Sequence, residues 1–259
     1  MIPLSDENPV LRTPWVNYAL LATIFAVWLG VERAGFEPVA LATAVCNYGL
    51  VPGELTGQAP LGFTIPIGAG LGCAIDDQAV NWLTPVTSMF LHGGWGHILG
   101  NALFLWVFGN NIEDSMGRGR FLVFYLVCGL AAAAAHVLVD PGSPVPTVGA
   151  SGAISGVLGA YLVLYPRVRV KTLIPIIVFF TIVRLPAWAI LLLWFVYQLI
   201  AGLPQLLAVS PEVSGGVAVW AHVGGFVAGA LLVKPFENPA LVRRRATLGD
   251  ARAVWEPPR

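Results

Sequence analysis

Long apolar runs, broken by short charged or Gly- and Pro-rich segments, dominate the 259-residue chain. Crossing about 30 Å of hydrocarbon at roughly 1.5 Å per residue takes about 20 residues of helix, with shorter spans tolerated. Six runs fit: residues 14–31, 92–111, 120–139, 150–165, 185–203 and 217–233. The pattern predicts an all-α membrane protein, a six-transmembrane-helix bundle with a long first extracytoplasmic loop. Its organisation would be a cytoplasmic N-terminal segment (1–13), a six-helix domain (14–233) and a cytoplasmic C-terminal tail (234–259) without a recognisable helix or motif.

Two other apolar stretches fall short. Residues 173–183 (LIPIIVFFTIV) make half a span between Lys171 and Arg184 and contain Pro175, so they read as an interfacial segment and not a seventh helix. In the loop from Glu32 to Leu91, the piece GFTIPIGAGLG is too short and too interrupted by glycine to span, and is expected on or partly in one membrane face. The first run follows Asp6, Glu7 and Arg12 and lacks a small-residue cleavage site, so it reads as a retained helix and not a signal peptide.

Basic residues orient the bundle. With the N-terminus inside, cytoplasmic segments carry Arg12, then Arg118 and Arg120, then Arg167, Arg169, Lys171 and Arg184, then Lys234, Arg243, Arg244, Arg245, Arg252 and Arg259. The opposite face carries Arg33 alone, together with Glu32, Glu37, Glu54, Asp76, Asp77, Asp140 and Glu212.

Composition agrees with lipid as solvent: 57% of residues are hydrophobic and 11% charged. Net charge is zero and the one basic cluster is Arg243–Arg245, so no nucleic-acid partner is expected. Cys46, Cys73 and Cys128 form no CxxC and have no metal-ligand spacing, which excludes a disulfide framework and leaves a single Cys46–Cys73 bridge open. No metal or cofactor is expected. No internal repeat of the kind transporters carry is visible.

Polar groups inside a span are functional candidates by default. No Asp, Glu, Lys or Arg lies well inside the six runs, which leaves His, Ser and Asn and removes an aspartyl protease or a proton relay. Under the topology above, His92, His97, His136 and His222 all fall near outer helix ends. His97 and Asn101 stand at i and i+4, on one helical face. Ser151 opens the fourth helix, and His222 lies about five residues, roughly 7 Å, into the sixth. A serine hydroxyl needs a base within hydrogen-bond reach, and a neutral histidine suits that role. Ser151 and His222 are thus candidates for nucleophile and base, as a dyad without a carboxylate. His97, Asn101 and a backbone amide at the helix start could receive an oxyanion.

A purely structural reading stands beside this one. Gly152, Ser155, Gly156, Gly159 and Ala160 form a small-residue stripe, and Gly225 with Gly229 forms GxxxG, both suited to close helix packing without catalysis. Such packing would itself bring Ser151 against His222. His92 and His136 read as structural or interfacial, with His92 shaping an entrance. Trp15, Trp95, Trp188 and Trp220 read as interfacial anchors.

The motifs HGGWGHILGN (92–101), GASG (149–152) and AHVGG (221–225) with Gly229 resemble those of the rhomboid family of intramembrane serine proteases, and EDSMGRGRF (113–121) is similar to that family's loop between the second and third helices. The resemblance extends from about Tyr48 to Pro235. It implies a rhomboid-type bundle, with Ser151 as nucleophile, His222 as base, and His97, Asn101 and the Ser151 amide as oxyanion hole. Gly149, Gly152, Gly225, Gly229 and His92 would support the site, and Glu113 and Arg120 would be structural. It further implies single-span or other transmembrane protein substrates, a lipid bilayer as surroundings, and a gate at the fifth helix. The expected location is a bacterial inner membrane with both termini cytoplasmic. Two other functions remain open: a catalytically dead rhomboid-like protein that binds membrane clients, and a small-solute channel or transporter.

Overall fold

A computed structural model describes residues 1–68, 70–76, 79–176, 179–206 and 218–244. Asp77, Glu212, Val217, Arg245, Arg252 and Arg259, used above for orientation or helix ends, lie outside the described residues.

Helices make up most of the fold. The first apolar run forms α1 (Trp15–Gly30), and the long loop after it holds α2 (Pro38–Tyr48) and the single turns α3 (Pro52–Thr56) and α4 (Thr84–Thr87). The second run forms α5 (Trp95–Phe104), a π-helical turn (Leu105–Gly109) and α6 (Asn110–Met116) in unbroken succession. There follow α7 (Arg118–Val139), α8 (Ser151–Leu164), α9 (Ala187–Leu206) and α10 (Val219–Phe236). By length and composition, Arg118–Val139, Ala187–Gln205 and Val219–Phe236 could each cross a membrane, while Trp15–Gly30 and Ser151–Leu164 are shorter apolar helices.

The second helix starts later and ends later than its hydropathy predicts. Gly93 and Gly94 delay its start, and it runs on through Glu113 and Asp114, both buried. Glu113 and Asp114, expected in the loop after this helix, are thus part of its last turns, for a local reason. Glu113 accepts hydrogen bonds from the backbone N–H groups of Val16 (3.2 Å) and Asn17 (2.7 Å), placing a carboxylate at the positive end of α1. Asp114 pairs with Arg12 at 3.1 Å. Arg120 donates to the Glu237 carbonyl at 2.8 Å, so both residues of that loop motif tie segments together.

The fold also departs from all-α. Residues 173–176 and 179–183 lie in paired strands β4 (Arg169–Ile176) and β5 (Phe179–Pro186), to which the N-terminal strand β1 (Ile2–Asp6) adds in the order β1-β4-β5. The segment is too short to span and rich in Val, Ile, Thr and Phe, residues that favour the pleated conformation over helix. As a result the fifth helix begins at Ala187, two residues after the hydropathy boundary. Asp6, at the end of β1, accepts hydrogen bonds from Asn111 and Tyr161, anchoring the N-terminal segment to the bundle. In the long loop, β2 (Thr64–Gly68) and β3 (Leu71–Ala74) form a hairpin, held to α2 by a Cys46–Cys73 disulfide. The tail is not featureless either: residues 239–244 are helical, and the Asn238 N–H donates to the Ser115 carbonyl at 2.9 Å.

At the centre, α7, α8 and α10 pack along their small-residue faces. A Cβ at Gly225 would run into the Gly152 carbonyl oxygen, and one at Gly229 into that of Gly156. Backbone contact of this kind needs glycine on at least one side, and in lipid it supplies van der Waals attraction where water cannot drive association. Phe121, Phe124, Tyr125, Trp28, Phe108 and Tyr161 fill the remaining core.

Candidate active site

Ser151 is the first residue of α8 and follows a sharply turned Gly149, whose φ of 129° is open to glycine and strained for other residues. The Gly149 N–H donates to the Ser88 carbonyl at 2.8 Å, fixing the turn. A Cβ there would stand 2.6 Å from His97 Nε2 and 3.6 Å from Asn101 Nδ2, so the missing side chain is what lets both approach the start of α8.

His222 lies in the first turns of α10, and its Nε2 stands 2.7 Å from Ser151 Oγ. The glycine contacts between α8 and α10 continue directly below this pair, which is why two residues so far apart in sequence meet. On its far side, His222 Nδ1 is 3.0 Å from Gln198 Oε1 of α9, and the Trp194 ring lies 5.7 Å from the imidazole, centroid to centroid, at 40°.

The second polar group comes from α5. His97 Nδ1 accepts a hydrogen bond from the Gly93 N–H at 3.4 Å, which leaves the proton of a neutral ring on Nε2, the atom facing Gly149. Asn101 Nδ2 donates to His92 Nε2 at 3.0 Å. His92 is 0% exposed, and its backbone N–H donates to Glu32 Oε1 at 2.7 Å. His92 is therefore buried beside Asn101 and does not line the cleft entrance. His136 lines the same cleft, with Nε2 3.0 Å from Thr147 Oγ1. The Trp220 ring lies against Gly202 of α9.

Ser151, His222, His97, Asn101 and Trp194 line one open cleft of about 1750 Å³, bordered in part by α2 and the β2–β3 hairpin. Cys46 and Cys73 thus hold together two parts of the cleft's rim.

Three contributors escaped the sequence reading. Gln198 carries a usable signal, being a polar side chain inside an apolar run, though a lone glutamine has no spacing partner such as His97 has in Asn101. Trp194 is indistinguishable from core or lipid-facing aromatics in sequence. Glu32 lies in the long loop, and nothing in its surroundings foretells a contact with His92.

Burial pushes the Glu32 carboxyl up to about 7, against the opposing pull of the His92 N–H bond. A raised folded-state value means the native fold prefers the neutral acid. The stability linked to Glu32 is then complete below the ordinary value of 4.5 and is lost as pH rises through about 7. The melting temperature of the purified protein is expected to fall across that window, and that of Glu32→Gln to fall less. Parallel curves for the two proteins would exclude the assignment.

Comparison with known proteins gives a consistent family. A model of the Rhomboid domain matches residues 79–236, more than half of the chain. The chain is similar to the rhomboid protease GluP of Bacillus subtilis, 43% identical over 81 residues, covering 31% of this chain and 15% of that protein. Over 81 residues it is 36% identical to the putative rhomboid protease YdcA of the same organism, covering 31% of this chain and 40% of the relative. Rhomboid-like protein 11, chloroplastic, of Arabidopsis thaliana is 39% identical over 75 residues, covering 29% of this chain and 26% of the relative. The chain thus spans well under two thirds of the length of each of these relatives.

Proposed function

Because this chain belongs to the rhomboid family, we propose that it is an intramembrane serine protease that hydrolyses peptide bonds in or near transmembrane segments of other membrane proteins. The observation that carries the proposal is the 2.7 Å approach of Ser151 Oγ to His222 Nε2 at an open cleft. In this reading Ser151 attacks the scissile carbonyl and its proton passes to His222 Nε2. The developing oxyanion is received by the Ser151 N–H, His97 Nε2–H and the Asn101 amide. Collapse of the intermediate expels the amine, which takes the proton from His222 and leaves an acyl-enzyme. Water, deprotonated by the same imidazole, releases the acid.

A substrate helix hides its carbonyls in its own hydrogen bonds, so it must unwind before Ser151 can reach one. The proposed arrangement is six spans, with the site near the outer face and both termini in the cytoplasm of a bacterial cell. The excess of Lys and Arg in the segments assigned to the inside supports that orientation.

The test is reconstitution in liposomes with a single-span substrate, followed by a fluorophosphonate and mass analysis. Cleavage, and an adduct on Ser151 that blocks it, are expected. Failure to cleave a varied substrate panel, together with no adduct, would favour a client-binding role instead. Asn101→Ala is expected to lower kcat by up to ~10²-fold, as loss of one oxyanion donor does. An unchanged kcat would remove Asn101 from the site.

A further inference from the structure

We infer that Gln198 is a positioning residue, the third member of a Ser151–His222–Gln198 chain, whose amide oxygen sets the tautomer and angle of the His222 ring. The inference rests on the serine-protease reading above and deepens it.

An amide oxygen can only accept, so the 3.0 Å contact between Gln198 Oε1 and His222 Nδ1 requires the proton on Nδ1. A neutral imidazole with its proton there presents a lone pair at Nε2, the atom 2.7 Å from Ser151 Oγ. The hydroxyl is thereby the donor, which is the arrangement a base needs before reaction. Without an acceptor at Nδ1, the proton is free to sit on Nε2, where it would face the serine as a competing donor.

Three further observations favour this assignment. Gln198 is 6% exposed on a helix whose other inward positions are apolar, and burying an amide is costly unless its hydrogen bonds are made. Trp194, one turn earlier on the same face of α9, lies against the same ring, so α9 contacts the imidazole twice. The acceptor is also neutral, so it orients the ring without adding a negative charge inside the membrane. Among the described residues no carboxylate hydrogen-bonds to His222, which leaves that role to the amide.

The test compares full-length Gln198→Met and Gln198→Glu with the wild type in liposomes. It reads kcat and KM on a single-span substrate, the rate of fluorophosphonate labelling of Ser151, and the melting temperature. Methionine keeps the length of the side chain and removes the amide acceptor; glutamate keeps an acceptor oxygen. Gln198→Met is expected to lower kcat and the labelling rate by ~10-fold, the worth of one hydrogen bond, with KM within about twofold. Gln198→Glu should remain within about threefold of wild type. If Gln198→Met does not accumulate, Gln198→Asn, which withdraws the oxygen by one methylene, replaces it and should show the same loss.

Wild-type kcat in Gln198→Met or Gln198→Asn, with labelling still dependent on Ser151, would overturn the role of Gln198 alone. So would an equal loss in Gln198→Glu accompanied by an equal fall in melting temperature, which marks a packing residue. Labelling or cleavage that survives Ser151→Ala would overturn the serine mechanism itself, and the role of Gln198 with it.

Discussion

Ser151→Ala and His222→Ala are each expected to reduce cleavage of a reconstituted single-span substrate by at least about 10⁴-fold, and the double variant to be no worse than either single one. Nucleophile and base act as a unit, so removing one leaves the other without a task. The folding cost of Ser151→Ala should be small by comparison, because Gly149 and Ala150 set the start of α8 through the backbone. Its melting temperature should therefore stay close to wild type while turnover vanishes, whereas that of His222→Ala should fall, since the buried Gln198 amide loses its partner. Cleavage persisting in Ser151→Ala would sink the mechanism, and strongly additive losses in the double variant would argue against a coupled pair.

The second large effect lies below the site. In Gly225→Val the new side chain would occupy space held by the Gly152 carbonyl, a backbone atom that cannot turn aside. The helices α8 and α10 must separate, and overpacking of this kind costs about 1–3 kcal/mol. Ser151 and His222 sit just beyond that contact, and a displacement of ~1 Å at reacting groups is worth ~10²-fold in rate. Both melting temperature and kcat should drop. Gly119→Ala on α7 is the matched control, because a Cβ there meets nothing within 4 Å. If Gly225→Val proved as benign as Gly119→Ala, the contact between α8 and α10 would not be what holds the pair.

The bundle's main helices were legible because hydropathy registers the solvent, and lipid demands long uninterrupted runs. Boundaries were less legible. The end of α6 is decided by Glu113 capping α1, a contact across nearly a hundred residues that hydropathy cannot register. The strand pair of β4 and β5 was hidden because an apolar stretch of ten or so residues fits helix, strand or interface equally, and its pairing with the N-terminal strand is a long-range event. At the site, residues with characteristic spacing such as His97 and Asn101 could be named from sequence. Gln198 showed in sequence only as a polar residue inside an apolar run, and its contact with His222 exists only once α9 and α10 lie side by side.

The Cys46–Cys73 bridge on the rim of the cleft has a consequence for sidedness. Thiol pairs stay oxidised in the periplasm or outside the cell and are kept reduced by cytosolic glutathione and thioredoxin. The bridge therefore acts as a redox marker on the rim. An oxidising compartment at the cleft is what the orientation proposed from the Lys and Arg distribution requires, and the bridge supports it by unrelated chemistry.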